Sequence, residues 1–228
     1  MKVNLKLLTV EVAGMFGIFA LALFLAAGTA AWPAGWAFLV LFFGCTIALA
    51  SWLFKHSPGL LTERATGFTK ADQKSWDKVF YVAANLYFVG WLVFMPLDAV
   101  RFHWSQMPGW LQVLGAMLLV FSFYLFFLTF RENAFLSPAV RVQNDRAQTV
   151  VTTGPYHYVR HPMYATAIIF VVSTALLLGS WYGIALGLLI IVGVAFRAVQ
   201  EERTLQAELP GYNEYMTQVK YRLIPHVW

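Results

Sequence analysis

The chain has 228 residues, of which 60% are hydrophobic and only 12% are charged. Soluble globular proteins are about 45–50% apolar and about 25% charged, so this composition excludes an ordinary soluble domain and favours a polytopic membrane protein. The single cysteine, Cys45, excludes a disulfide framework and a cysteine-rich metal site. The net charge of +5 is gathered in a few segments, as a membrane topology requires, and does not indicate a nucleic-acid partner.

Four apolar runs, each long enough to cross about 30 Å of hydrocarbon, occupy the first 130 residues. They are Val12 to Trp32, Pro33 to Phe54, Val79 to Leu97 and Trp110 to Phe130. The first run resembles a secretory signal peptide, but Glu11 and the length of the run favour a retained helix. Pro33 is suited to open the second helix. We therefore assign residues 1–130 to four N-terminal transmembrane helices.

A longer apolar stretch, Pro162 to Phe196, contains no Asp, Glu, Lys or Arg over 35 residues. A straight helix of that length would extend about 52 Å, too long for a bilayer even when tilted. Gly179-Ser180-Trp181-Tyr182-Gly183 provides a break near its middle. The sequence predicts a short helical hairpin with arms of about 17 and about 13 residues. The expected fold is therefore an all-α polytopic integral membrane protein with about six transmembrane helices.

Six spans place four polar segments on one side of the membrane: the N-terminus, 55–78, 131–161 and 197–228. These segments hold 2, 5, 4 and 4 of the 16 Lys and Arg residues, whereas the opposite loops hold only Arg101. Positively charged residues concentrate on the cytoplasmic side of membrane proteins. We therefore expect both termini, and the functional region, to face the cytoplasm.

Two dense polar clusters stand at the two ends of the predicted hairpin. One runs from Gly154 to Tyr164 and the other from Arg197 to Leu205. A hairpin brings its ends together, and ionisable groups at membrane depth are costly and usually functional. We therefore expect residues 131–228 to form a cofactor-binding and catalytic region that includes the hairpin and a polar C-terminal tail.

Several chemistries are compatible with these clusters. The arginines could serve only as membrane anchors, and Glu201 and Glu202 only as a solvated helix face. His157 and His161 with the two glutamates could hold one zinc ion, but the favoured interpretation has no metal. No glycine-rich strand-turn-helix motif supports a soluble dinucleotide-type fold. The mixture of cations, anions and aromatic rings suits a zwitterionic aromatic cofactor such as S-adenosylmethionine, although composition alone does not select it.

Five short motifs follow one another in the C-terminal half. They are Gly154-Pro155-Tyr156, Arg160-His161-Pro162-x-Tyr164, Arg197-x-x-x-Glu201-Glu202-x-x-Leu205, Pro210-Gly211-Tyr212-x-x-Tyr215 and Tyr221-Arg222-Leu223-Ile224-Pro225, preceded by Asn133 and Val140-Arg141-Val142-Gln143. In order and spacing they resemble the isoprenylcysteine carboxyl methyltransferase family, within the wider group of membrane methyltransferases that includes phospholipid N-methyltransferases. Thr166 stands where that family often has glycine, and we expect it to narrow the cofactor pocket or shift substrate preference.

The resemblance implies an S-adenosylmethionine-dependent methyltransferase of the membrane, acting on a lipophilic acceptor that enters from the lipid side. It implies a cofactor site formed by Tyr156, Arg160, His161, Pro162, Tyr164, Glu201 and Glu202. It also implies catalytic roles for Arg197, Glu201 and Arg203, in which the arginines orient a substrate carboxylate. The expected partners are thus a lipophilic or lipidated substrate and the membrane lipids.

The acceptor and the class of protein have alternatives. A prenylcysteine carboxylate is what the resemblance implies, and a phospholipid amine or a small thiol is the alternative. An amine would need a nearby carboxylate and a carboxylate would need an arginine, and the sequence offers both. Outside this class, the candidates are an NADPH-dependent sterol-type membrane reductase and a non-catalytic scaffold or transporter. A transporter is expected to show charged or broken helices in both halves of the chain.

Overall fold

The computed structural model describes residues 5–66, 70 and 72–228, with the backbone alone for residues 5–9, 11 and 66. The described chain is all-α, as predicted. Its helices are α1 (Leu5–Ala27), α2 (Pro33–His56), α3 (Pro58–Thr66), α4 (Ser75–Pro96), α5 (Gly109–Glu132), α6 (Pro162–Leu178), α7 (Trp181–Glu208) and α8 (Tyr212–Gln218). A π-helical segment, Leu97–Arg101, continues α4, and short 3-10 turns lie at Asn144–Arg146 and Gly154–His157.

Within the described residues, four helices are long and apolar enough to cross a membrane: α2, α4 with its π-helical segment, α5 and α7. The apolar part of α1, Val12–Ala27, and the whole of α6 are apolar but shorter. Each of the six predicted runs therefore corresponds to an apolar helix, which supports a multi-pass membrane protein. The count of six crossings stays a prediction. The side chain of Glu11, which favoured a retained first helix, lies outside the described residues.

The predicted hairpin is present, but its second arm is longer than expected. α6 has 17 residues and ends at Gly179, whose φ of +83° would strain any other residue. Ser180 then caps α7, accepting a 2.7 Å hydrogen bond from the Gly183 backbone N–H. α7 has 28 residues instead of about 13. The second polar cluster continues the same helix because it is rich in strong helix formers and no breaker precedes Pro210.

α6 is the central helix of the C-terminal half and packs against α5 and α7. The backbones of α5 and α6 approach closely at Gly115, where a Cβ atom would lie 2.4 Å from the Leu177 backbone nitrogen. Trp91 of α4 is buried and donates a 2.6 Å hydrogen bond from its indole nitrogen to the Gly183 carbonyl. This core holds α6 and α7 in place, and their polar ends carry the two clusters.

The described residues of the polar segments 55–78, 131–161 and 197–228 meet at one end of the helix bundle because successive long helices alternate in direction. Ion pairs join elements that are distant in sequence: Lys74 with Glu208 at 2.5 Å, and Arg141 with Glu63 at 3.2 Å. At the other end, Arg101 donates to the Leu25 carbonyl at 3.1 Å. The described residues agree with the predicted segregation of charge, whereas Lys2 and the side chain of Lys6 lie outside them. The side of the membrane that each end faces stays a prediction.

Candidate active site

A cavity of about 780 Å³, including its open mouth, lies at the polar end of the bundle. Loop segments between Asn133 and Val151 form one wall, and the start of α6, the polar part of α7 and the region of α8 form the others. Six of the residues predicted to bind a cofactor line it: Tyr156, Arg160, His161, Pro162, Tyr164 and Glu201. The structure thus brings together most of the predicted cofactor set.

The first turn of α6 places an aromatic face on the cavity wall. His161 is the N-cap of the helix and Pro162 its first residue, where the missing N–H of proline leaves no donor unsatisfied. The His161 ring stacks on the Tyr164 ring with a centroid distance of 5.5 Å. Both residues line the cavity and are otherwise buried.

Glu201 is the one of the two predicted carboxylates that reaches the cavity. It accepts a 2.5 Å hydrogen bond from the Tyr164 hydroxyl. Within the described part of the chain, no cationic side chain lies within ion-pair distance of it. Glu201 can therefore accept hydrogen bonds from a ligand or offset a positive charge on one.

Glu202 belongs to a buried ion-pair network and is not part of the cavity wall. Its carboxylate accepts from Arg160 Nε at 2.6 Å and from Arg222 Nε at 2.7 Å, and it lies 3.3 Å from His161 Nε2. Residues adjacent on a helix point about 100° apart, and here Glu201 faces the cavity whereas Glu202 faces Arg160 and Arg222. The geometry therefore does not support the predicted cofactor contact of Glu202.

Arg160 lines the cavity and also makes contacts that hold neighbouring segments together. Besides Glu202, its guanidinium donates to the carbonyls of Val219 and Lys220, both at 2.8 Å. The backbone N–H of Arg160 donates to the Tyr221 carbonyl at 2.9 Å. Arg160 thus attaches the segment after α8 to the start of α6 and to α7.

Neither arginine predicted to orient a carboxylate lies in the cavity. Arg197 donates through Nε to Asp77 at 3.0 Å and through Nη2 to the Pro138 carbonyl, and its guanidinium lies 6.0 Å from the Tyr164 ring centroid. Arg203 is exposed and donates to Gln200 at 3.3 Å. Arg203 is two residues after Glu201, about 200° around the helix, so it points away from the cavity.

An apolar groove between α4 and α7 adjoins the cavity. It encloses about 1,180 Å³, including its open side, and most of its lining is aliphatic or aromatic. Arg197 lies at one end of this groove, and Tyr164 lines both the groove and the cavity. One tyrosine therefore separates a polar compartment from an apolar one that opens between two candidate membrane spans.

Thr166 lies on the other side of α6 from Tyr164, since two residues of helix turn the side chain by about 200°. It lines a second apolar groove, formed with α5 and residues 223–225. Its hydroxyl donates to the Pro162 carbonyl at 2.9 Å. Thr166 therefore does not narrow this cavity, and the alternative expectation, that it shifts substrate preference, stays a prediction.

Sequence reasoning assigned no role to three residues that shape the cavity. Asp77 is fully buried and accepts from the Val140 backbone N–H at 2.8 Å as well as from Arg197. Asn133 donates to the Tyr156 hydroxyl at 2.8 Å, and Tyr215 donates to the Tyr156 carbonyl at 2.7 Å. Asn133 and Tyr215 lie in the motifs that resemble the methyltransferase family, whereas the sequence marks Asp77 only by its position just before an apolar run.

The tyrosines of the cavity wall are neutral. Burial raises the pKa of Tyr156, Tyr212 and Tyr215 well above the usual value of 10. For Tyr156, the hydrogen bond from Asn133 opposes this shift without cancelling it. Each hydroxyl therefore keeps its proton at physiological pH and can donate a hydrogen bond.

Residues 110–209, from the start of α5 to the end of α7, match a family model described as phospholipid methyltransferase. This stretch is 100 of the 228 residues and contains both polar clusters. It confirms the predicted resemblance to the membrane methyltransferases. Together with the apolar helices, the match supports a multi-pass membrane methyltransferase, and it is equally consistent with a phospholipid or a prenylcysteine-type acceptor. No curated protein matches the chain at a significant level.

Proposed function

We propose that the protein is an S-adenosylmethionine-dependent membrane methyltransferase that acts on a lipophilic acceptor. The observation that carries this proposal is the position of Tyr164, which lines both the polar cavity and the apolar groove. A polar methyl donor and a lipophilic acceptor have to meet at one point, and the two compartments adjoin at this side chain. The phospholipid methyltransferase match over the same residues supports methyl transfer as the reaction.

The residues of the cavity fit S-adenosylmethionine. Glu201, which has no cationic partner among the described residues, suits a ribose diol or a positively charged group. The wall near α8 is aliphatic and aromatic, with Val150, Val151 and Leu205 beside buried tyrosines, and suits a flat heterocycle. When bound, this cofactor supplies an electrophilic methyl group on a sulfonium centre.

The task of the protein in such a reaction is to align two reactants and to exclude water. Tyr164 is suited to both because it is buried, stacked on His161 and hydrogen-bonded to Glu201. The network around Glu202 holds the adjoining walls by joining α6, α7 and the segment after α8. We propose that this end of the bundle faces the cytoplasm, where the positive-inside rule places the basic segments.

The charged residues near Tyr164, where the polar cavity meets the apolar groove, favour an amine as the methyl acceptor. A carboxylate acceptor needs an available arginine, but Arg197 is paired with Asp77, and Arg203 is exposed on another face of α7. An amine acceptor needs a carboxylate, and Glu201 lies where the cavity meets the groove, with no cation within ion-pair distance among the described residues. We therefore place a phospholipid amine ahead of the prenylcysteine carboxylate that the sequence resemblance implies.

Two measurements on the purified protein in detergent test the proposal. Calorimetric titration should show binding of S-adenosylmethionine, and binding of NADPH alone would favour the reductase instead. A labelled-methyl assay should then compare vesicles containing phosphatidylethanolamine with a prenylcysteine analogue. We expect base-stable label in the lipid. Base-labile label in the prenylcysteine alone would leave a methyltransferase but reject the amine acceptor.

A further inference from the structure

The hydroxyl of Tyr212 has no hydrogen-bond partner within the part of the chain that the structure describes. Tyr212 is only 4% exposed and forms part of the cavity wall. Two other tyrosines of the same wall are satisfied, Tyr156 by Asn133 and Tyr215 by a backbone carbonyl. A buried hydroxyl without a partner is costly and uncommon in native structures. The contrast within one wall indicates that the Tyr212 hydroxyl serves something other than the fold.

Tyr212 stands at the apolar end of the cavity. It belongs to a buried cluster with Val142, Leu209 and Tyr215, and its ring centroid lies 5.8 Å from that of Tyr215. Leu209 comes eight residues after Glu201, which corresponds to about 12 Å along a helix. The backbone at the Tyr212 end of the cavity is therefore displaced along α7 from that of Glu201.

We infer that the Tyr212 hydroxyl is a binding contact for the heterocyclic base of a nucleoside ligand, which is S-adenosylmethionine under the proposed function on which this inference rests. An apolar wall with one hydroxyl matches a flat base, whose faces are apolar and whose edge carries nitrogen donors and acceptors. A protonated phenol can donate to a ring nitrogen or accept from an exocyclic amine. The base then lies at α8, and the reactive end of the ligand lies toward Tyr164.

The test combines ligand binding with the stability of the ligand-free protein. Tyr212→Phe should weaken binding of S-adenosylhomocysteine by about five- to tenfold, the usual effect of one neutral hydrogen bond. It should weaken binding of 5′-methylthioadenosine, which lacks the amino-acid part, by the same factor. Tyr182→Phe, on an exposed tyrosine at the turn of the hairpin, is the matched control and should leave both affinities unchanged.

Thermal unfolding without ligand separates a binding role from a structural one. Tyr212→Phe should leave the melting temperature unchanged or raise it, because it removes an unsatisfied hydroxyl. Tyr215→Phe should lower it, because that substitution removes the bond to the Tyr156 carbonyl. Wild-type affinity in Tyr212→Phe, a loss confined to S-adenosylhomocysteine, or a fall in melting temperature as large as that of Tyr215→Phe would each overturn the inference. If the wild-type protein bound neither ligand, the proposed function itself would fail.

Discussion

The hydroxyl of Tyr164 donates a 2.5 Å hydrogen bond to the carboxylate of Glu201, which joins the first turn of α6 to the polar end of α7. The two residues are 37 positions apart in sequence and come together because Gly179 and Ser180 reverse the chain between them. The bond leaves the rest of the Glu201 carboxylate available on the cavity side. The polar cavity and the apolar groove meet at this pair. Substitution of either residue should therefore change ligand binding as well as stability.

Glu201→Gln should weaken S-adenosylmethionine binding at least about tenfold and lower kcat/KM by more. Hydrogen bonds to a charged group contribute about 1.5–3 kcal/mol, and the amide loses the charge as well. Calorimetry and a labelled-methyl assay in the same detergent measure both effects.

Glu214→Gln is the control for that experiment, because Glu214 is exposed on α8 and outside the cavity wall. It should match the wild type in affinity and turnover. Equal affinity and turnover in Glu201→Gln and Glu214→Gln would show that Glu201 contacts neither ligand.

Glu202→Gln should act on stability. The change leaves Arg160 and Arg222 without their shared buried anion, and breaking a buried ion pair from one side costs about 3–5 kcal/mol. Thermal unfolding of the detergent-solubilised protein should show a much larger fall in melting temperature for Glu202→Gln than for Glu201→Gln. The reverse order would mean that the roles of the two glutamates have been exchanged.

The helices were predictable because the apolar runs are about as long as a membrane span or longer and are bounded by breakers or charges. The turn at Gly179 followed from the same length argument. The length of α7 did not follow from that argument. The apolar run ends at Phe196, whereas the helix continues to Glu208 through residues that are polar and strongly helix-forming. Hydropathy reports where a membrane segment ends, not where its helix ends.

The cavity brings together more of the residues predicted to bind a cofactor than of those predicted to be catalytic. Motif spacing placed Tyr164 and Glu201 together correctly, since both lie where the hairpin closes. Motif spacing could not show which of Glu201 and Glu202 faces the cavity, because that depends on the rotation of α7 about its axis. It also could not show that Arg197 is paired with an anion, because its partner Asp77 is 120 residues away in sequence. The role of Asp77 in particular needs the packing of α4 against α7.

Acidification should destabilise the loop wall of the cavity through Glu63. Burial alone would raise its pKa, but hydrogen bonds from Ser137 and Lys70 and the charge of Arg141 outweigh that effect and lower the pKa below the usual 4.5. A carboxylate with a lowered folded-state pKa contributes stability above its unfolded pKa and loses it as the pH falls through the folded value. The melting temperature should therefore fall below about pH 4.5, and Glu63→Gln should flatten that fall while lowering the melting temperature at pH 7. An unchanged pH profile in Glu63→Gln would contradict this assignment.

Asp77→Asn should change the acceptor preference. The substitution removes the charge that offsets Arg197, while the amide oxygen of asparagine can still accept from the Val140 backbone N–H. An arginine without its anion at the end of the groove favours a carboxylate and disfavours a cationic amine head group. The ratio of methyl transfer to a prenylcysteine analogue over phosphatidylethanolamine should rise at least about tenfold in a competition assay. Asp72→Asn, which alters an exposed partner of Arg141, should leave the ratio unchanged. If both variants kept the wild-type ratio, pairing of Arg197 would not decide the acceptor, and the preference would have to arise from the shape of the groove.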